Sequence, residues 1–126
     1  MFGGGEVVLP LRLHPRHFWL MLRIPVLGRE DIVLALDSGC FASAVKAVVL
    51  DELVSLRRAT WLRGRRYLIH DLAPAGIAIP DMRVRAGGPA ERIDADGIIG
   101  LDYLGGFRRV CVDIPTLELT LTPPAV

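Results

Sequence analysis

Asp37, Ser38 and Gly39 set a carboxylate, a hydroxyl and a residue without a side chain in succession, directly after the aliphatic run from Ile32 to Leu36. A carboxylate at the buried end of a strand can exchange protons in a sheltered place, so acid-base chemistry is one reading. A plain strand-ending turn is the other, because Asp, Ser and Gly are ordinary turn residues. Context weighs on the choice: a further hydroxyl follows at Ser43, and near the far end "DGIIGLDYL" sets Ile98 and Ile99 between Gly97 and Gly100.

Other reactive residue types form weaker patterns. His14 and His17 have a spacing that could bring two imidazoles to a metal, but no third or fourth ligand stands at a suitable distance, and they read as solvated turn residues. No metal or other cofactor is implied. Cys40 and Cys111 make no metal pattern and are too few for a disulfide scaffold, so both are expected to be buried free thiols. Cys40 as a nucleophile lacks an identifiable partner histidine. Arg57, Arg58, Arg63, Arg65 and Arg66, interleaved with Trp61 and Tyr67, could grip phosphates and stack on bases, select acidic peptides, or form a solvated basic face. A formal net charge of +1 argues against nucleic acid as the partner. The glycines at 97, 100, 105 and 106 miss the spacings of dinucleotide and phosphate loops.

The elements that must position these residues are mostly strands. A chain of 126 residues predicts one domain over 1–126, and its 15 basic residues nearly balance its 14 acidic ones, as in a compact soluble protein. The apolar runs "FWLML" and "IVLAL" fall far short of the roughly 20 residues that cross a bilayer. "GGGE" stands where a signal peptide would have a basic region, so a cytoplasmic location is the expectation. "HFWLMLRIPV" and "DIVLAL" flank the turn "LGRE" as a hairpin that feeds Asp37. "KAVVLDELVSLRR" spaces Val49, Leu53 and Leu56 for one helical face. "TWLRGRRYLI" predicts a second hairpin with an exposed tip, and "APAGIAIPDMRVRAGG" predicts edge strands and turns. "DGIIGLDYLGGF" leaves room for one or two helical turns, and "RRVCVDIPTLELTLTPP" closes the chain as a hairpin turning near Ile114 to Thr116.

On two motifs in order, "LALDSGCFAS" and "DGIIGLDYL", the chain resembles the retropepsin-like aspartic proteases, the single-domain retroviral type, from about Phe18 to Thr122. The resemblance implies a closed β-barrel of the acid protease fold with one or two short helices, assembled as a symmetric homodimer. Asp37 then matches the catalytic aspartate, Ser38 the hydroxyl that braces the loop, Gly39 the close-approach residue and Ser43 the later hydroxyl. Ile98, Ile99 and Gly100 match the apolar pair and glycine that pack beneath the loop, while Asp94, Asp96 and Asp102 read as turn and cap residues. Trp61, Leu62, Arg63, Gly64 and Arg65 stand where the family has its mobile flap.

The implied activity is hydrolysis of peptide bonds by water held between two carboxylates that share one proton. Only one such tripeptide occurs, and the length leaves no room for a second lobe, so each subunit of the homodimer would supply one Asp37. The terminal segments "EVVLPLRL" and "LELTLTP" would either pair between subunits or complete the monomer's own sheet. Two departures stand out: Cys40 occupies the family's usual alanine position, and the flap tip offers one glycine among arginines. A catalytically silent dimerisation or peptide-binding module is the alternative reading.

Overall fold

The computed structural model describes residues 5–124, so the signal-peptide reading at Gly3 and Gly4 lies outside the described residues. In chain order the strands are β1 (Val7–Pro10), β2 (Arg12–Leu13), β3 (Leu20–Ile24), β4 (Ile32–Leu36), β5 (Ala44–Val45), β6 (Ala59–Arg63), β7 (Arg66–Ile69), β8 (Met82–Ala86), β9 (Gly97–Ile99), β10 (Arg109–Asp113) and β11 (Glu118–Thr122). Two helices, α1 (Ala47–Ser55) and α2 (Leu101–Leu104), join them. The fold is thus mostly β with two helices.

The large sheet runs in the order β2-β3-β4-β9-β5-β8-β7-β6, and a small sheet runs β1-β11-β10. The expected closed barrel is not what the ladders form: β2 and β6 are the edges of an open sheet, and the terminal strands pair separately from it. β1 pairs antiparallel with β11, Val7 opposite Leu121 and Leu9 opposite Leu119, so the terminal segments complete a sheet within one chain. Their alternation explains this, since Val7, Leu9, Leu119 and Leu121 all turn inward and are buried.

β4 carries the aliphatic run into the core. Ile32, Leu34 and Ala35 are buried, and burial at two successive positions means that both faces of the strand are covered. β3 flanks it antiparallel, and β9 flanks it parallel with Leu36 opposite Ile99. β8 corrects the expectation of an edge strand, for it lies between β5 and β7. Pro74 and Pro80 fall outside β8, so both sides of its backbone remain free to pair.

α1 buries Val49, Leu50 and Leu53 on one face. Its first turn has no side-chain cap of its own, but the Ala47 N–H donates to Glu91 Oε2 at 2.9 Å, which offsets the missing local acceptor. At its other end Arg57 N–H donates to Val54 O, and Arg58 N–H to Leu53 O, closing the helix with Arg57 at φ 59°. Leu50 and Leu53 join Leu22, Ile24 and Leu34 of the large sheet and Leu9 and Leu119 of the small one in a single apolar cluster. Each such leucine stabilises the fold by about 2 kcal/mol on burial.

Candidate active site

Asp37 follows the last residue of β4, and its N–H donates to Ile99 O at 3.0 Å, extending the β4–β9 ladder by one step. The chain then turns: Cys40 N–H donates to Asp37 O at 3.2 Å, and Gly39 N–H donates to Asp37 Oδ1 at 2.9 Å. A Cβ at Gly39 would come within 3.2 Å of that same carboxylate oxygen, so glycine keeps the backbone close to the acid. Asp37, Ser38 and Gly39 are all exposed. One carboxylate oxygen is therefore oriented by the backbone, and the group as a whole faces outward from its own chain.

Beneath the loop lies a network centred on Ser43, which is fully buried. Its hydroxyl donates to Asp102 Oδ1 at 2.6 Å and accepts from Gly100 N–H at 2.9 Å. Its backbone N–H donates to both Asp102 carboxylate oxygens at 3.0 Å, and its carbonyl accepts from Arg85 N–H at 3.0 Å. The start of α2 closes on the loop as well, with Leu101 N–H donating to Cys40 O and Asp102 N–H to Phe41 O. Gly100 makes this approach feasible: a Cβ there would stand 2.7 Å from Cys40 O and 2.8 Å from Phe41 O. Gly97 is equally confined, 2.5 Å from Ala44 O by the same construction. Ile98 lies opposite both Ala35 and Ala44, and so joins β4 to β5. The structure thus brings Asp37, Ser43, Ile98, Ile99 and Gly100 together around one loop.

No protein-family model and no curated protein sequence matches the chain. Solved structures do. A retropepsin-like aspartic protease from Rickettsia conorii superposes with a TM-score of 0.54 at 17% identity, over 97% of this chain and 93% of that one. The retroviral protease-like domain of Ddi1 from Leishmania major superposes with a TM-score of 0.58 at 15% identity, over 87% of this chain and 95% of that one. The fold is retropepsin-like.

Within this retropepsin-like fold the β6–β7 hairpin carries Trp61, Leu62, Arg63, Gly64 and Arg65, and its tip is exposed. Gly64 adopts φ 55°, and the Trp61 indole N–H donates to its carbonyl at 2.8 Å, which pins the turn. The ladders do not pair this hairpin with the Asp37 loop, since β6 and β7 lie at the far edge of the sheet from β4. On the other side of the loop, Ser38 borders an apolar groove of about 450 Å³ lined by Leu20, Leu36, Leu101, Leu104, Val110 and Val112. Leu101 and Val112 are both exposed there, and β10 is an edge strand of the small sheet.

Several residues have duties that the sequence reading assigned wrongly. Asp102 was expected to serve as a turn or cap; it is the acceptor that holds Ser43. Asp96 Oδ2 accepts from Val33 N–H at 2.8 Å and ties the approach to β9 onto β4. His14 is not a solvated turn residue: it is 4% exposed, its Nδ1 accepts from the N–H groups of Arg16 and His17, and its Nε2 therefore donates to Asp94 Oδ2 at 3.0 Å. That hydrogen bond holds the Asp94 carboxyl below its ordinary 3.8, against a smaller opposing effect of burial. His17 is exposed as expected and stacks on Trp19. Cys40 is half-buried with its thiol donating to Ala42 O, and Cys111 is exposed because it occupies the outer face of β10; both are free. Among the described residues no cluster of three or more His, Cys, Asp or Glu could hold a metal, and no helix is long and apolar enough to cross a membrane.

Proposed function

We propose that the protein is an aspartic endopeptidase whose active unit is a symmetric homodimer with one Asp37 from each chain at the two-fold axis. The observation that carries this reading is the exposed Asp37 carboxylate, oriented by Gly39 N–H and standing on a loop braced through Ser43, Asp102 and Gly100. One such carboxylate supplies either a base or an acid. Peptide hydrolysis by this route needs both at once.

Two Asp37 groups brought within hydrogen-bonding distance hold one proton between them, because two adjacent negative charges repel in a sheltered site. The ionised one takes a proton from a water whose oxygen attacks the scissile carbonyl carbon, while the protonated one donates to the carbonyl oxygen. The tetrahedral adduct then collapses: the C–N bond breaks, the amide nitrogen receives a proton, and the pair is left with one proton again. No cofactor takes part.

The second chain is supported by the apolar groove beside Ser38. Leu101 and Val112 are exposed, and the unpaired edge of β10 offers a row of backbone donors and acceptors next to them. An edge strand of this kind favours pairing with another chain. A two-fold arrangement that covers this face would bring the Ser38 and Asp37 loops of both chains toward one axis. The hairpin from Trp61 to Arg65 would serve as the flap over a bound peptide.

The test is cleavage of a diverse peptide pool across about pH 3 to pH 7, the range in which a carboxylate pair changes its proton count. Cleavage is expected, blocked by a statine-type transition-state mimic and abolished by Asp37→Asn with the dimer preserved. Peptide binding without cleavage at every pH would instead assign the chain as a silent dimerisation or peptide-binding module.

A further inference from the structure

β6, β7 and β8 place three arginines in one cross-strand row. Arg63 stands opposite Arg66, and Arg66 stands opposite Arg85. Neighbouring strands are only about 4.8 Å apart, and like charges directly opposite one another weaken the pairing. With Gly64 and Arg65 these residues line a cavity of about 600 Å³. None of the ion pairs among the described residues involves Arg63, Arg65, Arg66 or Arg85. Glu91 approaches the same turn at Gly87, but its Oε2 accepts from Ala47 N–H. The sheet therefore bears a like-charge cost that no direct ion pair among the described residues relieves.

The arginine tip is also preset. Arg65 Nε and Nη2 both donate to Ala86 O, at 3.0 and 2.7 Å, which fixes the guanidinium plane and leaves its other N–H groups unused. Gly87 and Gly88, at φ 75° and 62°, carry the backbone around it, and a Cβ at Gly88 would stand 3.2 Å from Nη2. The row begins beside the loop described above: Arg85 lies opposite Ala44 on β5, and its N–H donates to the carbonyl of Ser43.

Resting on the endopeptidase reading, we infer that Arg63, Arg65, Arg66 and Arg85 form a subsite for the carboxylate side chains of an acidic peptide or protein substrate. Guanidinium groups bind carboxylates through paired, charge-assisted hydrogen bonds, and an acidic segment laid along the row relieves the repulsion between them. Nucleic acid fits less well. The register puts Tyr67 in a row with Val84, on the opposite face from Arg66 and Arg85, the Trp61 indole is tied to the Gly64 carbonyl, and no aromatic ring lines the arginine cavity as a platform on which bases could stack.

Binding is measured on the Asp37→Asn protein, so that no substrate is consumed. The probes are a fluorescein-labelled peptide of alternating Glu and Ala, its counterpart with Gln for Glu, and a single-stranded oligothymidylate of the same charge. The Glu peptide is expected to bind about tenfold or more tighter than the Gln peptide, with the preference weakening as salt is added. Arg66→Gln with Arg85→Gln should remove that preference without lowering Tm, which separates a binding role from a structural one. Equal binding of the two peptides, no binding of the Glu peptide, or tighter binding of the oligothymidylate would each overturn the inference. Peptide-pool cleavage by the unsubstituted protein reports separately on the endopeptidase reading, so failure of one is distinguishable from failure of the other.

Discussion

Around Ser43 each polar atom has a partner within hydrogen-bond distance, whereas at the tip of the β6–β7 hairpin four guanidiniums converge without an ion pair among the described residues. Both regions are rich in charge or polarity, and both touch β5, one through Ser43 and the other through Arg85. They differ in what completes them. The network around the buried Ser43 is complete within the chain, so its worth is structural: it braces the loop that carries Asp37. The exposed row is incomplete, and local repulsion is tolerated where a ligand can relieve it.

The contrast breaks most severely at Gly100. Gly100→Ala would drive a methyl group against the Cys40 and Phe41 carbonyls, with an expected loss of about 3 kcal/mol by overpacking and the loss of any cleavage. Urea unfolding read by circular dichroism measures the first, and the peptide-pool assay the second. Ser43→Ala is next. It leaves Gly100 N–H without its acceptor and removes the hydroxyl donor to Asp102, whose carboxylate keeps the Ser43 backbone N–H, and this should cost about 2 kcal/mol, while Ser43→Thr keeps the hydroxyl and should retain most of the stability.

At the arginine tip the sign reverses. Arg66→Gln with Arg85→Gln removes a like-charge opposition, and stability in low salt should rise by about 0.5 kcal/mol, with the gain shrinking as salt screens the charges. A fall in stability would mean that the row supports the sheet, and the distinction between the two regions would collapse.

His14 and Asp94 make an intermediate case, one partner buried and the other exposed. The folded-state value of Asp94 is lowered, so its contribution is present above the ordinary 3.8 and is lost as pH falls through the lowered value. Thermal unfolding should therefore find Asp94→Asn less stable than the unsubstituted protein near neutral pH, the gap closing in acid. A gap that widens in acid would contradict the assignment of the shift.

These regions also differ in how far the sequence discloses them. The three hairpins, α1 and α2 were legible because their signals are local: alternation, helical spacing, and glycines such as Gly28 and Gly64 at turns and Gly105 at the end of α2. Asp37 was legible for the same reason, as three small or polar residues closing an aliphatic run. The brace was not. Asp102 lies 59 residues from Ser43, and an acid in the first turn of a short helix looks like any cap until β9 is inserted between β4 and β5. Its place two residues after Gly100 was the available signal. His14 misled because its imidazole packs against His17 and Trp19 and reaches Asp94, 80 residues away, a partner that local spacing does not show. The arginine row is legible only in part. Arg63, Arg65 and Arg66 are neighbours in sequence, but Arg85 joins them only through the β7–β8 register.

Co-refolding of unsubstituted protein with Asp37→Asn protein in varied proportion tests the shared site most directly. If both carboxylates must come from unsubstituted chains and pairing is random, cleavage activity falls as the square of the unsubstituted fraction, so an equal mixture keeps about one quarter of the activity of the same total amount of unsubstituted protein. Activity that falls in simple proportion would mean that each chain works alone, and the two-chain site would be wrong.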